Sequence, residues 1–167
     1  QSQRKVSDIL AEAFPKTMLL AGVSILFALV LGVAIGILLA VKKNVILDRI
    51  ALVFSVLGMS LPSFFAAILM AWVFAFLLAE YTGLNMFGSL YTVDDYGRGE
   101  YLDLKNLILP AITLGIRPLA IIVELTRSSL LDILGQDYIR TARAKGLGKS
   151  RIIGKHALKN AMNPVIT

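Results

Sequence analysis

The sequence predicts an all-α, polytopic bundle of membrane-spanning helices, and three observations carry that reading. The chain of 167 residues is 57% hydrophobic, with a mean hydropathy of +0.76, which is too apolar for an ordinary soluble domain. Its apolar residues fall in three long runs, at 17–41, 50–79 and 107–134. Its charges gather in the connections, basic in some and acidic in one. Cysteine is absent, which excludes a disulfide framework and thiolate metal sites. The net charge of +6 points to nucleic acid, anionic lipid or an acidic protein, and its position beside the spans favours the last two.

Residues 1–16 are polar, then mildly amphipathic: Val6, Ile9, Leu10, Ala13 and Phe14 lie near one face, and Ser7 is placed to cap that turn. The segment reads either as a helix lying on the membrane surface or as a frayed tail. The run 17–41 carries no charge and is long enough to cross a hydrocarbon core of roughly 30 Å. Within it Ser24, Ala28, Gly32, Gly36 and Ala40 recur every fourth residue. Such a stripe lets helix backbones approach closely in lipid, where packing replaces the hydrophobic effect. Residues 42–49 form a short link with Lys42, Lys43 and Arg49 against Asp48, a bias that places it inside the cell.

The run 50–79 is also uncharged and contains Pro62. Proline cannot donate to the carbonyl of Gly58, so a kink is expected there, with Ser60 and Ser63 beside it. Ser63, Ala67, Ala71, Ala75 and Ala79 form a second small stripe. The helix reads as a pore-lining or hinge element around Pro62, or as a tilted packing helix. Residues 80–106 hold Glu80, Asp94, Asp95, Glu100 and Asp103 against Arg98 and Lys105, with Tyr81, Tyr91, Tyr96 and Tyr101. This composition reads as an irregular outer loop at an interface. The third span, 107–134, has Pro110 in its expected first turn and Arg117 near its middle, followed at once by Pro118. A charge at that depth is expensive and faces a partner or a water-filled cavity. Arg117 therefore lines a path or gate, or pairs inside the bundle. Glu124 and Arg127 are three apart and in reach of one another.

Residues 135–164 are polar and strongly basic. After Asp137 come Arg140, Arg143, Lys145, Lys149, Arg151, Lys155 and Lys159 with no acid among them. The pattern predicts a short helix capped by Asp137, with Tyr138, Ile139 and Ala142 on one face. Gly146 supplies a left-handed stop. A second helix follows, capped by Ser150, with Ile152, Ile153, Ala157, Leu158 and Ala161 at helical spacing. Pro164 marks the next boundary. The basic connections belong inside and the acidic loop outside, so the spans run in, out and in, and a fourth is due near Pro164. A chain that starts at Gln1 and stops there is expected to be a fragment of a larger membrane domain.

Catalytic chemistry does not assemble from these residues. Gly148-Lys149-Ser150 looks like the end of a phosphate-binding loop, but the first glycine of that loop falls on Arg143. His156 is the only histidine, so no histidine pair exists for a metal. No catalytic, cofactor or metal site is expected, and the arm lacks the aromatic interleaving of a nucleic-acid binder.

The arm resembles the EAA loop of ABC-transporter permeases, whose pattern is Glu-Ala-Ala, three residues, Gly, nine residues, Ile-x-Leu-Pro. Aligned on Gly146, its alanine falls on Ala142 and its leucine on Leu158. The departures are Arg140, Thr141, His156 and Lys159 at the Glu, Ala, Ile and Pro positions. The form DYIRTARAKGL…HALKNAMNP, with LPSF from Leu61, LPA from Leu109 and LTRSSLLDIL from Leu125, is similar to the B-type permease of the dipeptide, oligopeptide and nickel class. The resemblance implies a non-catalytic subunit of an ATP-driven importer in a bacterial inner membrane. It implies a second permease subunit, homo- or heterodimeric, with cytoplasmic ATP-binding subunits and an extracytoplasmic solute-binding protein. The arm's first helix would then enter an ATPase groove, with Tyr138, Ile139 and Ala142 as apolar contacts, Arg140 and Arg143 at the rim and Gly146 fixing the angle. A scaffold or channel subunit with no ATPase partner is the alternative. The transported solute is not written in the sequence.

Overall fold

Long helices are what a chain must form where no water satisfies its backbone, and helices dominate this one. The computed structural model describes residues 5–42, 44–93 and 100–166. Residues 1–4 of the N-terminal segment, Lys43 of the basic link, and Asp94, Asp95, Tyr96 and Arg98 of the acidic loop lie outside them. The elements run α1 (Val6–Lys42), α2 (Val45–Ser60), α3 (Ser63–Met70, continued by Ala71–Leu77), α4 (Ala79–Thr82), β1 (Tyr91–Val93), β2 (Glu100–Leu102), α5 (Lys105–Leu134), α6 (Asp137–Ala144), α7 (Lys149–Arg151, Ile152–Ala157 and Leu158–Ala161 end to end) and α8 (Asn163–Ile166). Among the described residues two helices, α1 and α5, are long and apolar enough to cross a membrane, and a third crossing results if α2 and α3 count as one broken span.

Helix α1 passes without interruption through Pro15, so residues 6–16 are continuous with the span that follows. With 37 residues it is about 55 Å long, longer than the hydrocarbon alone requires. Asn44 caps α2: its Oδ1 accepts from the amides of Ile46 at 2.9 Å and Leu47 at 3.3 Å. The expected kink at Pro62 is a full break. Helix α2 stops at Ser60, and Pro62, at φ −59° and ψ 137°, starts α3. The physical reason is that proline also drives the residue before it out of the helical region, here Leu61. Pro110 sits in the second turn of α5, because Asp103 starts that helix early by accepting from the amide of Lys105 at 3.1 Å.

The chain divides into two compact units. The first comprises Gln1–Phe27 and Leu61–Ile116. Here Ser24 turns its hydroxyl back onto the Leu20 carbonyl at 2.7 Å, and its own carbonyl lies where Gly115 of α5 approaches. A Cβ on Gly115 would stand 2.8 Å from the Phe27 ring and 3.0 Å from the Ser24 carbonyl oxygen. In the second half of α3 the turns widen, and the Leu78 amide bonds the Val73 carbonyl at 2.9 Å. This leaves the Phe74 carbonyl free, and the Thr82 hydroxyl donates to it at 2.6 Å. Residues 80–106, expected as irregular, contain α4, stopped by Gly83 at φ 61°, and a two-stranded antiparallel hairpin pairing Thr92 with Tyr101. The second small stripe is not a buried face: Ser63 and Ala67 are exposed, and only Ala75 is buried. Ser63, Ala67 and Ala71 instead line a cleft of about 420 Å³ with Leu109, Pro110 and Thr113.

The second unit comprises Ala28–Ser60 and Arg117–Thr167. In it the first small stripe continues as the contact between α1 and α5. A Cβ on Gly32 would lie 2.7 Å from Ile122 Cγ2, and one on Gly36 would lie 2.6 Å from Thr126 Cβ. All five residues of that stripe, Ser24, Ala28, Gly32, Gly36 and Ala40, are buried. This arrangement makes a test. Gly36→Leu forces a side chain into Thr126 and should destabilise the protein by about 1–3 kcal/mol. Gly22→Leu, whose Cβ meets nothing within 4 Å, should be tolerated. Thermal unfolding of the detergent-purified variants measures both, and equal melting temperatures would refute the close packing.

Candidate functional site

The basic arm is built on the ends of α1 and α5. Helix α6 is preceded by Gln136 in an extended conformation (φ −70°, ψ 152°), so Gln136 rather than Asp137 holds the capping position. Asp137 lies in the first turn, where its charge faces the positive end of the helix dipole. Its Oδ1 also meets Arg140 Nη1 at 3.4 Å. The helix ends as the sequence implies. Gly146 stands at φ 77°; its amide bonds the Arg143 carbonyl at 2.9 Å, and the Leu147 amide bonds the Ala142 carbonyl at 3.2 Å. That pair of bonds is the Schellman closure, and it needs a residue able to adopt the left-handed region. Helix α7 then begins after Gly148, with Ser150 inside its first turn instead of at the cap.

Burial corrects the expected contact face of α6. Ile139 is fully buried and Ala142 nearly so, in a core with Ala40 of α1, Leu130 of α5, and Ile152, Ala157 and Ala161 of α7. Leu134 and Leu147 pack against it. These two side chains hold the arm together. The periodicity found the apolar face correctly; the cover comes from α7 and the two long helices, which periodicity alone does not identify. What α6 presents outward is Tyr138, 42% exposed, with Arg140, Thr141 and Arg143. Tyr138 is nevertheless tied to α7. Its hydroxyl accepts from Asn160 Nδ2 at 3.1 Å and reaches the His156 carbonyl at 3.5 Å.

An ion pair unforeseen in the sequence joins α2 to α5 in this unit. Arg127 Nε donates to Asp48 Oδ1 at 3.0 Å, while Glu124, the expected partner, is 4.0 Å from Nη1. The only hint was a single acid in an otherwise basic link. Arg117 lies about 18 Å along α5, on an exposed face with Leu114 and Ile121, opposite the face that packs on α1. Among the described residues no hydrogen bond or ion pair reaches it. Pro62 is exposed at the break between α2 and α3. Among the described residues no cluster of His, Asp and Glu is arranged to hold a metal ion.

A family profile described as "Binding-protein-dependent transport system inner membrane component" matches residues 32–167. The Dipeptide transport system permease protein DppB of Bacillus subtilis (strain 168) is 39% identical over 162 residues, covering 97% of this chain and 48% of the relative. The protein of the same name from Escherichia coli (strain K12) is 39% identical over 173 residues, covering 92% and 50%. The Glutathione transport system permease protein GsiC of Escherichia coli O1:K1 / APEC is 38% identical over 166 residues, covering 99% and 49%. The chain thus spans about half the length of the curated relatives it matches.

The arm's core predicts its own sensitivity. Ile139→Ala removes a fully buried side chain and should cost about 2–5 kcal/mol locally. Trypsin should then cut at Arg140, Arg143 or Lys145 at least about tenfold faster, while Tyr138→Ala leaves the rate near wild type. Equal rates for Ile139→Ala and wild type would show that the arm does not depend on this core.

Proposed function

The chain belongs to the family of binding-protein-dependent transport system inner membrane components, and from that premise we propose that it is a membrane-spanning permease subunit of an ATP-driven importer of peptides or related small solutes. The subunit is a transport component and not an enzyme; ATP is hydrolysed by separate cytoplasmic ATP-binding subunits. A second permease subunit, identical or different, completes the pathway, and an extracytoplasmic solute-binding protein delivers the solute. The chain crosses the inner membrane several times, with residues 17–41, 50–79 and 107–134 in the bilayer, 80–106 outside and 135–164 inside. The names of the relatives, dipeptide and glutathione permeases, support the peptide class.

One observation carries the mechanism: the arm shares a buried core with the ends of α1 and α5 that lead into it. A force applied to the exposed residues of α6 is therefore passed to two long helices without first being lost in a hinge. The ATPase contact is made by Tyr138 and Arg140, with Arg143 at its margin. Ile139, Ala142 and Gly146 set the shape that these residues present. For ATP to drive transport, the arm must interact differently with the two states of the ATPase, and the spans must switch with it. Arg117, unpaired among the described residues at mid-depth of α5, faces the translocation path, and Pro62, at the break between α2 and α3, is a gate element.

Two outcomes follow. Gly146→Val places a branched residue at φ 77°, at roughly 1–2 kcal/mol for the left-handed conformation. A Cβ there meets nothing within 4 Å in this chain, so within the subunit the substitution acts through the backbone geometry of the arm. In the reconstituted complex, loaded binding protein should stimulate ATPase activity several-fold less in this variant than in wild type; full stimulation would contradict transmission through the arm. Arg117→Ala should insert normally, since a central arginine costs about 2.5–3.5 kcal/mol on insertion scales, yet impair solute uptake. Unimpaired uptake would remove Arg117 from the pathway.

A further inference from the structure

On the side toward the ends of α1 and α5 the arm shares only Arg143 with the proposed ATPase contact. A pocket of about 460 Å³ opens there, within the roughly 300–1,000 Å³ typical of small-molecule sites. Its walls are apolar: Ala40 and Val41 at the end of α1, Leu134 at the end of α5, Leu147 in the turn, and Ile152 and Ile153 of α7. Two cations, Arg143 and Lys149, complete the lining. Lys149 is held there by donating from Nζ to the Val41 carbonyl at 3.4 Å, which leaves further N–H groups of the ammonium available. Among the described residues no acid is paired with either cation.

We propose that this pocket binds an anionic phospholipid, with an acyl chain against the apolar walls and the phosphate against Arg143 and Lys149. The chemistry selects this occupant. A free phosphate or nucleotide gains nothing from apolar walls of this extent. An apolar peptide gains nothing from two unpaired cations. An anionic amphiphile satisfies both, and the guanidinium fork of Arg143 suits a phosphate group. The location agrees: α1 ends at Lys42 and α5 at Leu134, so the pocket lies where two long apolar helices stop. Basic pockets between spans at the cytoplasmic face are sites for anionic headgroups. A lipid seated there would wedge between the arm and the spans, making the arm sensitive to membrane composition whichever solute is carried.

The test uses the full-length permease in its complete complex. A photo-reactive benzophenone side chain replaces Ile153, and the complex is placed in nanodiscs of phosphatidylglycerol or of phosphatidylcholine. The expected product after illumination is a lipid-mass adduct in phosphatidylglycerol and little in phosphatidylcholine. Arg143→Gln and Lys149→Gln should each lower that adduct about fivefold. An adduct to polypeptide, or lipid labelling indifferent to headgroup and to both substitutions, overturns the proposal. In parallel, native mass spectrometry without a probe compares phosphatidylglycerol retained by the wild-type and Lys149→Gln complexes; equal retention also overturns it.

Discussion

Everything in the basic half of the chain depends on one burial: Ile139 of α6 and Leu130 of α5, both fully removed from solvent in a single small core. The arm is otherwise rich in charge, and two short helices joined at a glycine have little stability of their own. Their order comes from lodging Ile139, Ala142, Ile152, Ala157 and Ala161 against the ends of two long helices. The consequence is mechanical. A short helix that spent its apolar residues on a partner would be loose without that partner. This one spends them on its own chain and offers its polar and aromatic residues outward.

The second constraint is close approach in lipid. Where apolar side chains gain nothing by leaving the surrounding solvent, helices associate through shape. Gly32 and Gly36 have no room for a Cβ against Ile122 and Thr126, and that closeness fixes α1 against α5 in this unit. Ala40 closes the stripe of small residues and is itself part of the arm's core. The packing that orders the spans therefore runs directly into the packing that orders the arm. The Asp48–Arg127 pair adds a polar tie from α2 to the same helix.

Much of this was legible before any coordinates. The spacing of Ser24, Ala28, Gly32, Gly36 and Ala40 named a packing face because period and residue size both pointed to it. Gly146 is recognisable as a left-handed stop because the helical pattern of the arm's first helix ends there. The family-like residues from Gln136 to Pro164 marked the arm. What escaped depended on distant parts of the chain. The side of α6 that is covered is decided by α1, α5 and α7, so Ile139 and Ala142 read as outward contacts when they are inward. The partner of Arg127 is 79 residues away, beyond any local spacing rule. Pro62 was read through its missing donor, whereas its effect on Leu61 turned the kink into a break. The second alanine stripe had the right period, but the space beside it is a cleft.

The central claim is that the arm and the ends of the spans move as one piece. Spin labels at the exposed Leu31 of α1 and Lys155 of α7, measured by pulsed dipolar spectroscopy in the full transport complex, test it most directly. The distance distribution between them should be the same in the nucleotide-free and ATP-trapped states, because the core between them stays closed while the complex changes conformation. A clear shift of that distribution on ATP trapping, in a complex shown to retain solute uptake, would mean the arm swings on its own, and the account of rigid transmission would fail.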